Sequence, residues 1–102
     1  MYMVIELKKF GTTLTSREEG REALAAFKPS LSDITDSESV EVVFTGVNTF
    51  SPSWGDEFFA PLIKQFGTRL ILVDTKNLSV EATLNMLEKI HNIKFTRRNE
   101  AE

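Results

Sequence analysis

The sequence predicts an α/β fold, a single-domain βαβαβα layered sandwich with a mostly parallel sheet packed by helices. Three observations predict it. Apolar residues alternate along the chain between the two-residue repeat of strands and the 3.6-residue repeat of helices. The connections are short apart from residues 29–38, which suits strand–helix–strand units with parallel neighbours and right-handed crossovers. The chain of 102 residues is 41% hydrophobic and 26% charged, enough for one core and too apolar for a disordered chain.

Residues 2–8 alternate loosely, with Met3, Ile5 and Leu7 on one face, as a strand with one covered side does. Residues 10–13 read as a turn. Ser16 and Glu19 fit a capping box, with Thr15 and Glu18 as the alternative pair. The helix they open carries Gly20, Ala23, Leu24 and Phe27 on one side. It is expected to end at Lys28-Pro29, because a residue before proline avoids helical backbone. Residues 29–38 are polar and serine-rich and read as the longest loop. The run 40–45, Val-Glu-Val-Val-Phe-Thr, alternates little, being nearly continuous apart from Glu41, which predicts a strand covered on both faces.

A second helix opens at Ser51-Pro52-Ser53 and runs to about Phe66, with Gly67 where a C-terminal glycine belongs. Proline favours the first helical position, so Ser51 is the natural N-cap; Ser53 with Asp56 is the alternative register. Residues 69–74 form a third strand around Leu70-Ile71-Leu72-Val73. Ser79 is the cap of a third helix whose stripe is Val80, Leu84, Leu87 and His91, flanked by Ala82, Met86 and Ile90. The domain so read spans residues 1–95, and residues 96–102 form a flexible polar tail. Ile93 and Phe95 offer a short edge strand.

Composition removes several function classes. The net charge of −3 argues against a nucleic-acid partner, whose phosphates need a cationic surface. Without cysteine there is no disulfide or thiolate chemistry, and a lone histidine leaves no multi-histidine metal site. No apolar run approaches the roughly 18 residues of a membrane span, so the expectation is a cytoplasmic chain without a membrane partner.

Sites in parallel sheets lie where strands feed helices, here residues 10–17, 46–57 and 74–79. None of these carries a glycine-rich phosphate loop. Ser51 or Ser53 as a nucleophile lacks the Gly-x-Ser-x-Gly elbow, and only His91 is available as a base. Asp56 and Glu57 are adjacent on a helix and diverge by about 100°, a poor geometry for shared acid–base or metal chemistry. Placed in the first turn, they complement the helix dipole. The expectation is therefore no enzyme, no cofactor and no metal.

The second helix is apolar over more than half its circumference. The Trp54-Phe58-Leu62 line reads first as a buried helix face; in the alternative, part of it, Trp54 or Phe59, is exposed to a partner or a second copy. Arg17 and Arg21 lie one turn apart and read as a solvated face; in the alternative, Arg17 reaches across to Asp56 or Glu57.

The segment 42–53, Val-Val-Phe-Thr-Gly-Val-Asn-Thr-Phe-Ser-Pro-Ser, is similar to the signature of STAS domains, the fold of anti-sigma factor antagonists. The chain resembles more closely the small bacterial STAS-like family of unknown function. It does so in three places: Ser16-Arg17 with Gly20-Arg21, Phe44-x-Gly46-Val47, and Ser53-x-x-Asp56-Glu57-Phe58, within residues 4–90. The resemblance implies a STAS-like fold. It also implies that Ser53 is a phosphoacceptor for an ATP-dependent kinase that binds the unmodified form and releases the phosphorylated one. Ser51, Pro52 and Trp54 depart from the Asp-Ser-Ser-Gly pattern of the antagonists.

The function expected is a non-enzymatic interaction domain in bacterial regulation. It would dock a histidine-kinase-like ATPase or other regulator through Ser51, Ser53, Trp54, Asp56, Glu57 and Phe59, with Arg17. The alternatives are a small-ligand or anion-binding module at the same helix terminus, and a structural homodimer subunit that exposes the second helix.

Overall fold

The computed structural model describes residues 2–99. Strand β1 (Tyr2–Glu6) passes through a 3-10 turn (Leu7–Phe10) into β2 (Thr13–Leu14) and helix α1 (Arg17–Leu31). Then follow β3 (Ser39–Val43), β4 (Thr49–Phe50), α2 (Pro52–Phe66), a 3-10 turn (Gly67–Arg69), β5 (Leu70–Val73), α3 (Leu78–His91) and β6 (Thr96–Arg98). The main sheet has the order β1-β3-β5-β6 with every neighbouring pair parallel. The α/β layered architecture with a parallel sheet is thus the one the periodicities predict. A second, parallel pair joins β2 to β4 (Thr13 beside Thr49, Leu14 beside Phe50), where the sequence reads as turn and loop.

Register sorts the strand residues into two faces. Met3, Val40 and Leu70 lie in one row, and Ile5, Val42 and Leu72 in the next. These six side chains pack in or against one core with Leu24 and Phe27 of α1, Trp54, Phe58, Phe59 and Leu62 of α2, and Val80, Leu84 and Leu87 of α3. Helix α2 lies between α1 and α3.

The intervening rows, Val4-Glu41-Ile71-Thr96 and the residues beside it, lie outside that core. Val4 is 46% exposed, and Val43 and Ile71 are only partly covered. Strand β3, predicted to be covered on both faces, has helices on one face only, and on the other Glu41 is buried while Val43 is partly exposed. Arg98 lies over Glu41 and donates to its Oε1 from Nε (3.0 Å) and Nη2 (2.6 Å). That pair buries a carboxylate on the open face by giving it a charged partner.

Three boundaries differ from expectation. Helix α1 runs beyond Pro29 to Leu31. In the last turn proline removes a single helical bond, and Leu31 gains a place in the core. Asn77, not Ser79, caps α3: its Oδ1 accepts from the backbone of Ser79 (2.8 Å) and Val80 (3.2 Å). Its Nδ2 meanwhile donates to the carbonyl oxygens of Val47 and Asn48. Residues 96–98, expected in a polar tail, form the fourth strand of the sheet. Arg97 and Arg98 tolerate this because each finds a carboxylate, Arg97 at Glu81 and Asp74, Arg98 at Glu41. Residues 100–102 of that tail lie outside the described residues. Among the described residues no helix is long and apolar enough to cross a membrane.

Candidate functional site

Three helix ends meet at the first turns of α2. Two glycines allow the approach. A Cβ on Gly20 of α1 would stand 2.6 Å from the Trp54 carbonyl oxygen. A Cβ on Gly55 would stand 2.9 Å from the Phe50 ring and 3.1 Å from Leu87 of α3. Neither position has room for a side chain, so the backbones of α1 and α2 touch.

Ser51 builds the start of α2. Its Oγ accepts from the Trp54 N–H (3.3 Å) and donates to the Thr15 carbonyl (2.8 Å), tying the helix to the residues just before α1. Ser16 caps α1 through the Glu19 N–H at 2.9 Å. Both caps fall where the sequence places them. Ser53 sits in the first turn of α2, partly exposed, and its hydroxyl makes no hydrogen bond among the described residues.

Trp54 and Phe59 do not face solvent. Trp54 is 1% exposed and stacks on Phe58 with ring centroids 4.9 Å apart. Phe59 is fully buried and meets Phe50, Phe58 and Phe95 edge to face. The face is buried, as its spacing first suggests, and the alternative that leaves Trp54 or Phe59 free to contact a partner is corrected. A helix flanked by α1 and α3 above a sheet is covered on three sides, which absorbs an apolar surface wider than half a circumference.

The acidic pair has a different role from the one expected. Asp56 and Glu57 are the fifth and sixth residues of α2, beyond the first turn, so dipole complementation does not explain them. Their divergence sends them to different neighbours. Glu57 Oε1 accepts from Arg17 Nη1 (3.1 Å) and Arg21 Nη2 (3.2 Å), both on α1. Asp56 Oδ2 meets Arg17 Nη1 at 3.4 Å, and its Oδ1 lies 2.8 Å from His91 Nε2 at the end of α3. An ionised carboxylate only accepts, so that ring nitrogen carries the hydrogen.

A chain of ion pairs therefore runs Arg21–Glu57–Arg17–Asp56 across α1 and α2, and a hydrogen bond from Asp56 to His91 carries it on to α3. The Arg17 and Arg21 guanidiniums hold the Glu57 carboxyl below its ordinary range. In return, Glu57 and then Asp56 push the Arg17 guanidinium up. Arg17 remains half-exposed, with 50% of its side chain in solvent. Arg17 and Arg21 both lie on the exposed face that the sequence predicts, and Arg17 also makes the cross-helix pairing held as the alternative. The parts invisible in the sequence are Arg21 and His91. Glycines at positions 20 and 55, inside helices where alanine would be favoured, are local signs of close neighbours.

Chemically this surface is a set of satisfied charges beside a free hydroxyl. The oxygens of Asp56 face Arg17 and His91, and the Nε2–H···Oδ1 contact fixes the orientation of the His91 ring. No group of three or more histidine, aspartate or glutamate side chains among the described residues is placed to hold a metal. Clefts of about 300 and 280 Å³ lie elsewhere, against the far end of α2, and one of about 430 Å³ lies beside the last turns of α3. No protein-family model matches the chain, and neither the curated proteins nor the solved structures hold a significant match.

Proposed function

We propose that this chain is a non-enzymatic STAS-like interaction domain of bacterial regulation that docks a protein partner on the surface where α1, α2 and α3 meet. Ser53, Asp56, Glu57, Arg17 and Arg21 form the contact. Ser51, Trp54 and Phe59 support it from below, as cap and core. The partner expected is an ATP-dependent kinase of the histidine-kinase-like type, or another regulator with a mixed-charge face.

One observation carries this reading: a half-exposed Arg17 shared between two carboxylates, one turn from a serine whose hydroxyl is unengaged. Transfer of the γ-phosphoryl group of ATP to Ser53 Oγ, with release of ADP and the hydroxyl proton, would add nearly two negative charges there. Residues three and four apart on a helix are neighbours, so this phosphate would compete with Asp56 and Glu57 for Arg17. The ion-pair chain would rearrange, and the docking surface with it. Anion capture at the bare helix terminus has less support. Pro52 has no N–H, and the N–H groups of Trp54 and Gly55 already donate to Ser51.

The test is affinity capture from the native host with wild type, Ser53→Ala and Ser53→Glu, read by mass spectrometry, with circular dichroism to confirm folding. Wild type and Ser53→Ala are expected to retain one regulator that the folded Ser53→Glu variant loses. Equal retention by all three would reduce Ser53 to a helix residue. Retention by none would end the docking reading.

A further inference from the structure

Helix α3 carries a second surface, separate from the meeting point of the helices. Its Val80, Thr83, Leu84 and Leu87 face the core. On the outside, Leu78 (83% exposed), Ala82, Met86 (48%) and Ile90 (58%) recur every four residues, an unbroken apolar line along the whole helix. At 1.5 Å per residue it is about 20 Å long. Beside it runs a polar line with the same spacing, Glu81, Asn85 and Lys89. Glu81 is held in place by Arg97 at 3.0 and 3.2 Å, and Lys89 has no carboxylate partner among the described residues.

Both lines are complementary to themselves when reversed. With two α3 helices antiparallel about a two-fold axis beside residues 84 and 85, Leu78 stands level with Ile90 of the other copy. Ala82 then stands level with Met86, small against large, in both directions. Such an axis keeps each rim on its own side. Glu81 therefore comes beside Lys89 of the other copy at both ends, and Asn85 beside its own counterpart. A parallel pair would instead put the two polar lines on opposite sides of the apolar centre, where Glu81 and Lys89 do not meet. We propose that the chain forms a two-fold homodimer through antiparallel α3 helices, with the apolar line as its centre and the Glu81-Asn85-Lys89 line as its polar rim. An interface one helix long belongs to the small class, so the dimer dissociates on dilution, with a Kd of about micromolar or weaker.

The chain has no cysteine, so single cysteines report the geometry cleanly. Sedimentation over a concentration series is expected to show monomer passing into dimer. Met86→Asp should raise the Kd at least about tenfold, with an unchanged circular-dichroism melt. Treated with a short bismaleimide, Asn85→Cys should link into dimers. Leu78→Cys should not, because its two copies stand about 18 Å apart along the helix axis. A chain that stays monomeric to millimolar concentration overturns the proposal. So does a dimer indifferent to Met86→Asp, or one in which Leu78→Cys links as readily as Asn85→Cys.

Discussion

Helices α2 and α3 use apolar residues in opposite ways. Helix α2 holds Trp54, Phe58, Phe59, Leu62 and Phe66 and leaves no large apolar side chain exposed. Helix α3 has no phenylalanine, tyrosine or tryptophan, yet Leu78, Met86 and Ile90 all reach solvent. The difference is position. Helix α2 lies over the sheet with a helix on either side, whereas α3 has a helix neighbour on one side only. Apolar content measures how much surface a helix must cover; its place in the layer decides how much is covered.

Truncation tests that contrast most sharply. Phe58→Ala is expected to cost about 3–5 kcal/mol, as loss of a fully buried ring in a packed cluster does. Met86→Ala or Ile90→Ala should stay within about 0.5 kcal/mol when measured on the monomer by urea unfolding. A cost at Met86 matching that at Phe58 would show that the outer side of α3 is covered within the fold.

Closeness of approach gives the next effect. Gly20→Ala would push a methyl against the Trp54 carbonyl, and since backbone cannot swing aside, the cost should be about 1–3 kcal/mol. Ala26→Gly on the exposed side of α1 serves as the comparison, losing about 1 kcal/mol through helix propensity alone. Equal losses would mean that the two helices do not touch at Gly20.

The caps come third. Ser51→Ala removes the acceptor for Trp54 and the donor to Thr15, and should cost about 1–2 kcal/mol in urea unfolding. Ser53→Ala, in the first turn of the same helix and uncommitted, should be nearly silent. A larger loss at Ser53 would exchange their roles.

Glu57→Gln gives a small change, since its partners are exposed arginines and solvent screens such pairs. Its signature is pH dependence. The folded-state pKa of Glu57 is lowered, so the pair stabilises fully above the unfolded value of about 4.3. That stabilisation is lost as pH falls through the lower folded value. Wild type and Glu57→Gln should thus differ in melting temperature at neutral pH and converge in acid. A gap that persists in acid would assign the stabilisation to packing and not to charge.

Much of the fold is legible along the chain because its signals are local. Ser16 with Glu19, Ser51 with Pro52, and Gly67 mark helix ends within a few residues of themselves. The site is legible only in part. Ser51 and Ser53 are named by the turn that holds them, but Arg17 meets Glu57 across a separation of 40 residues and Asp56 meets His91 across 35. No local pattern joins such residues. Strand β3 misleads for a related reason: Val40-Glu41-Val42-Val43 reads as doubly buried, while its outer face is completed by Arg98 from a segment that reads as a tail.

By itself, then, the sequence determined the order and kind of the main elements, the caps of α1 and α2 and the parallel α/β class, since hydrogen bonding and periodicity act over a turn or a strand. The tertiary structure alone decided which apolar faces are covered, which charges pair, and that Trp54 and Phe59 are core while Leu78, Met86 and Ile90 are surface. Those outcomes depend on what lies across the layer, and burial and Coulomb attraction act through space without regard to distance along the chain.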